Sequence, residues 1–189
     1  MDDVRRYHHG DLRRHLVIAA RAEVEEHGVE NVVLTRVAQA CGVSVAAPYR
    51  HFASKEALLA EVAIGGFGEL TEALRVATPE GSSPRDRLLD AGVAYVRFAV
   101  ANPQIFRLMF NAEVRGSVDD ASQESLGVLI DLVRECDLAV PVDAAVRASW
   151  AMVHGYATLG VGGMDDFLGV ADERVRADFE GLLDGLLAA

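Results

Sequence analysis

The sequence predicts an all-α chain of about nine helices, a three-helix N-terminal head joined to a helical bundle. Apolar residues recur at helical spacing along most of its length, Gly, Pro and Ser punctuate them at intervals, and no alternating run is long enough for a strand. Val32 to Leu34 is too short to count as one. Asp11 can cap a first helix in which Leu12, Leu16, Ala19, Ala20 and Val24 lie on one face, ending at Gly28. Thr35 can cap a second, shorter helix with Val37, Ala38 and Cys41 inward, and Gly42 supplies the left-handed residue of a tight turn. Ser44 then caps a third, whose start Pro48 stiffens, and so short a connection forces the two short helices to cross steeply.

Ser54 begins a longer helix with Leu58, Val62, Leu70, Ala73 and Ala77 in a stripe. Its Gly65-Gly66-Phe67-Gly68 run costs about 1 kcal/mol per glycine relative to alanine, which points to close packing in preference to a hinge. After a loop from Thr78, Pro84 opens a helix that ends near Asn102, and Asn102 with Pro103 starts the next. Asn111 to Val118 breaks the pattern, and helices follow over 119–136, 141–162 and 173–187. The expected division is a head over 1–53 and a body over 54–189.

With 51% hydrophobic residues the chain can bury a core, so disorder is excluded. The charged opening Met1 to Arg6 does not resemble a secretory signal, and the longest uncharged stretch, Ala148 to Met164, holds His154 and several glycines and suits a buried helix better than a membrane span. Cys41 and Cys136 form no Cys-x-x-Cys pair, and His8 and His9 have no partner at ligand spacing, so neither a disulfide framework, a metal nor a cofactor is expected. A reducing cytoplasm fits best. The net charge of −11 argues at first against a nucleic-acid partner, but residues 1–60 balance eight cations against eight acids, and the whole negative excess lies beyond them. An acidic body would turn away from a polyanion and leave the head to meet it.

The run from Thr35 to Phe52, with Val37-Ala38, Ala40-Cys41-Gly42-Val43-Ser44, Tyr49-Arg50-His51-Phe52 and then Lys55-Glu56, resembles the DNA-binding segment of the tetracycline repressor (TetR) family. Tyr7 to Arg13 is similar to the N-terminal lead-in of many members, and Asn102 to Phe110 and Trp150 to Gly155 are similar to one C-terminal subgroup, the Trp-x-x-x-His-Gly type. The resemblance implies a dimeric helix-turn-helix regulator, released from operator DNA by a small molecule. Repression rather than activation rests on the resemblance alone.

The residue types suit that role. Ser44, Val45, Ala46 and Ala47 are compact enough to approach base edges, and the methyl groups of Val45, Ala46 and Ala47 can meet thymine. Tyr49, His51 and Lys55 are candidate phosphate anchors, with packing an equal alternative for Tyr49 and the preferred one for Phe52. Arg36 and Arg50 are the long donors, Arg36 assigned to phosphate, Thr35 lies beside it, and Arg5 and Arg6 form an arm for the minor groove. Phe67, Tyr95, Phe98, Phe106, Met109, Phe110, Trp150 and His154 are candidates for contacting an apolar or amphipathic effector, although most aromatic residues of a bundle are core. Val146, Trp150, Val153, Ala157 and Val161, then Val175, Phe179, Leu182 and Leu186, form stripes that suit a four-helix dimer contact. Two copies would then read a palindromic operator. The rivals are an enzyme, for which no Gly-x-Ser-x-Gly, His-Glu-x-x-His or phosphate loop is present, and a helical ligand-binding protein without DNA binding, against which the Tyr49, His51 and Lys55 set argues.

Overall fold

The computed structural model describes residues 9–164 and 172–187, with side chains described from Leu12 to Met164 and from Asp172 to Gly185. Its α-helices are α1 (His9–His27), α2 (Leu34–Ala40), α3 (Lys55–Ala77), α4 (Pro84–Ala101), α5 (Pro103–Met109), α6 (Asp119–Glu135), α7 (Val142–Val161) and α8 (Asp172–Leu187). Short 3-10 turns cover Val29–Asn31, Pro48–Arg50 and Arg115–Ser117. No strand occurs among the described residues, and no described helix is long and apolar enough to cross a membrane.

The all-α class holds, and most helix ends fall where the sequence puts them. Gly28 stops α1 with φ +79° and Gly42 makes the turn after α2 with φ +66°. Ser54 accepts the Ala57 N–H at 3.2 Å at the start of α3, and Ser83 does the same for Asp86 at 3.0 Å ahead of Pro84. The exceptions are local. Helix α1 begins two residues before Asp11, which therefore sits in its first turn instead of capping it. Helix α2 begins at Leu34 with Val33 as an extended cap, so Thr35 lies inside the helix. The third helix is not a regular α-helix: a turn closed by Ala47 N–H donating to Ser44 O (2.9 Å) leads into the 3-10 turn Pro48–Arg50. Pro48 supplies no N–H, which breaks the register a longer helix would need. Asn102 works backward, its side-chain amide donating to Phe98 O at 3.0 Å at the end of α4.

The chain divides into two compact units, one of residues 1–66 with 104–119 and one of 67–103 with 120–189. The break thus falls inside α3 and not before it, and α5 belongs with the N-terminal unit although it follows α4 in sequence. In that unit Leu16, Ala20, Val24, Val37, Ala38, Phe52, Leu58, Leu59 and Val62 are buried. Helix α5 packs at Gly66, where a β-carbon would come within 2.7 Å of Ile105 Cγ2 and 3.0 Å of Met109 Sδ. In the second unit α4 packs on α7 and α8. Gly92 is the point of closest approach, since a β-carbon there would collide with the Phe179 ring and lie 3.2 Å from Val153 Cγ1. Arg85 pairs with Asp184 (2.5 Å) and Glu180 (3.5 Å), Arg176 with Asp86 (2.9 Å) and Asp90, and Arg97 with Asp172, so ion pairs run along the α4–α8 seam.

Candidate nucleic-acid interface and effector cluster

In the N-terminal unit, Gly42 reverses the chain after α2 and Ala47, Pro48 and Phe52 anchor the next turn by turning inward. Arg13 lies over the Phe52 ring at 5.0 Å and holds Glu61 at 2.7 Å, fixing that turn between α1 and α3. What faces out is then set. Ser44, Val45, Ala46, Tyr49 and Arg50 are exposed, Val45 by 50% and Tyr49 by 59%, whereas His51 and Lys55 are half-buried. Of the residues assigned to DNA, these lie along one stretch of chain, from the turn after α2 through the 3-10 turn to the start of α3. Lys55 Nζ reaches Val32 O at 3.4 Å, and Ser54 bonded to Glu56 holds that carboxyl below its usual range. Tyr49 is therefore a surface residue and Phe52 a core one.

Three of the assigned residues are placed differently. Ala47 is buried, so its methyl group cannot reach a base edge. Thr35 is half-buried within α2. Arg36 is engaged inside the unit: its guanidinium pairs with Glu23, which is only 8% exposed, and donates to Asn31 O at 2.6 Å. The Val33 N–H also reaches Glu23, at 3.4 Å. Arg36 thus ties α2 to α1 while its side chain stays 43% exposed. Sequence reasoning missed Glu23, although the signal was present, because it lies three residues after Ala20 on the apolar face of α1. Arg5, Arg6 and His8 lie outside the described residues, as does the His9 side chain.

In the second unit Tyr95, Trp150 and His154 come together. Tyr95 Oη is 2.9 Å from His154 Nδ1, and the Trp150 and His154 ring centroids are 5.9 Å apart. Burial raises the Tyr95 phenol far above its usual range and lowers His154, so both are neutral at pH 7. Phe67 and Phe98 are buried in this unit. Phe106, Met109 and Phe110 belong to the other unit, with the Phe106 and Phe110 rings tilted at 54° to each other and 5.0 Å apart between centroids.

The dimer stripes are largely consumed by the protomer itself. Val146, Val153, Ala157, Val175 and Phe179 are all buried, because α7 and α8 turn their apolar faces toward α4. Val161 and Leu182 are half-buried, Trp150 is 40% exposed, and the Leu186 side chain lies outside the described ones. The outward faces carry other residues. Ala151 and Thr158 are exposed on α7 with Gly155 between them, and Ala177, Gly181 and Gly185 recur every fourth residue on the exposed side of α8. No atom lies within 4 Å of a β-carbon built at Gly155, Gly181 or Gly185.

The family model for bacterial regulatory proteins of the tetR family matches residues 16–62, and that for the tetracyclin repressor-like C-terminal domain matches residues 88–186. The chain belongs to the TetR family. A TetR-family assignment accounts for both units, the first match covering the α1-to-α3 head and the second running from α4 through α8. Among solved structures, a protein with unknown function from Rhodococcus sp. RHA1 is 35% identical, with a TM-score of 0.83 over 97% of this chain and 99% of that one. The TetR family transcriptional regulator PfmR from Thermus thermophilus is 24% identical, with a TM-score of 0.64 over 90% and 98%. The transcriptional regulator FadR from Bacillus subtilis, solved in complex with stearoyl-CoA, is 16% identical, with a TM-score of 0.70 over 92% and 97%, and shares the TetR-family fold. No protein of curated function matches.

Proposed function

We propose that this chain is a homodimeric, effector-responsive regulator that binds palindromic operator DNA through its N-terminal unit and represses until a small molecule releases it. The observation that carries this reading is the outward face of Ser44, Val45, Ala46, Tyr49 and Arg50, set on a packed head with Lys55 beside it. Small side chains at the centre and cations at the edge suit a reader that enters the major groove and grips phosphates. Mobility shift with the intergenic DNA flanking the gene tests it. Saturable binding that resists competitor DNA is expected, and a chain that binds no duplex preferentially is instead a ligand-binding protein.

The effector contacts are assigned to the Trp150–Tyr95–His154 cluster, with Phe98 as apolar neighbour on α4. Aromatic surface around a few neutral hydrogen-bonding groups suits an amphipathic molecule. FadR, which has the same fold, was solved in complex with the amphipathic molecule stearoyl-CoA, which agrees with an effector of that class. Pairing is assigned to Ala151, Gly155 and Thr158 with Ala177, Gly181 and Gly185, where small residues let helices of two copies approach closely.

A further inference from the structure

We propose that the protein reads its operator chiefly through the C5-methyl groups of thymine, with Val45 as the specificity-determining residue and Ala46 beside it, an inference that rests on the operator-binding reading above. Val45 and Ala46 are exposed in the turn closed by Ala47 N–H on Ser44 O, and Tyr49 and Arg50 are exposed in the 3-10 turn that follows it. The inward pair Ala47 and Pro48 fixes that orientation, so the centre of the face presents an isopropyl group and a methyl group.

Bases are distinguished in the major groove by Arg or Lys on guanine, Asn or Gln on adenine, and Asp or Glu on cytosine. From Val43 to Ser54 the sequence holds no Asn, Gln, Asp or Glu. Arg36, the cation nearest in α2, is held by Glu23 and Asn31 O. Arg50 is the single Arg or Lys between Gly42 and Ser54, and Ser44 offers a hydroxyl that suits any base. A half-exposed valine gains by losing water only against another apolar group, and the major groove offers one, the thymine methyl.

The test uses the full chain and an operator located by footprinting. Each thymine of the half-site is replaced in turn by deoxyuridine, which removes the methyl group and keeps the base pair. Kd should rise about fourfold per critical thymine, the effect of losing one buried methyl-sized group. Val45→Ala, at a surface position, should abolish the uracil sensitivity at the thymine that Val45 covers. An operator bound tightly with every uracil tolerated overturns the methyl reading and leaves the regulator standing. Uracil sensitivity unchanged in Val45→Ala overturns the assignment of Val45, and absence of any sequence-preferring duplex binding overturns both readings.

Discussion

Arg36 shows how a side chain that is legible by type can be misread in role. Its position at the start of a helix-turn-helix suggests a phosphate contact, but Glu23 stands on the buried face of α1 and a buried carboxylate must be neutralised where it lies. Replacing Arg36 by Ala should lower the stability of the head by about 1–3 kcal/mol in denaturant titration, the cost of leaving a buried polar group without its partner. Glu23→Gln should recover part of that loss when combined with it. A stable Arg36→Ala variant that had only lost DNA affinity would return Arg36 to the phosphate backbone. His154 gives a second residue-scale test. Burial lowers its folded pKa, so below the unfolded value of about 6.5 the unfolded chain binds the extra proton and stability falls with acidity. The contribution is fully present above that value and is lost as pH falls through the folded one. Thermal unfolding between pH 7.5 and 5 should therefore show a steeper fall for the native chain than for His154→Gln, and parallel curves would exclude His154 as the source.

At the scale of the element, periodicity and caps made the long helices readable because each repeats its apolar stripe over several turns and ends on a residue with a local reason to be there. Ser54, Ser83, Gly28 and Gly42 all act within a few residues of their own position. What was not legible depended on distant partners. The attachment of α5 to the N-terminal unit and the closeness of Gly92 to Phe179 are set by residues far along the chain. The candidate DNA-facing residues were legible by type for the same reason, since their types are local, whereas the inward turn of Ala47 is tertiary. The glycine run in α3 separates the two kinds of cause. Gly65 and Gly68 are exposed with open space where a methyl group would go, but Gly66 sits under Ile105 and Met109. Alanine at Gly65 or Gly68 should stabilise by roughly 0.5–1 kcal/mol through helix propensity. Gly66→Ala should destabilise by about 1–3 kcal/mol, because Ile105 is branched and cannot move aside freely. Denaturation midpoints of the three single variants check the contrast, and a stabilised Gly66→Ala would show that α5 shifts at little cost.

At the scale of the whole molecule, a symmetric operator needs two heads held at a fixed spacing, so pairing and DNA binding must fail together. Within the apolar stripes of α7 and α8, Val146, Val153, Ala157, Val175 and Phe179 already fill the protomer. A charge introduced there would unfold the unit and say nothing about assembly. Gly181 is different, because it is exposed, midway along the small-residue face of α8, with nothing within 4 Å of its β-carbon position. Gly181→Glu should therefore leave the protomer folded, and the change from glycine favours the helix itself. Between two copies the same carboxylate would meet its symmetry mate in a close, dry contact, where like charges repel and burial is costly. Sedimentation should show a monomer with native helix content. Operator affinity should fall by about 10²–10⁴, the advantage lost when the second head no longer binds as part of the same molecule. A variant that still sediments as a dimer and binds normally would place the pairing face elsewhere, away from the glycines of α8.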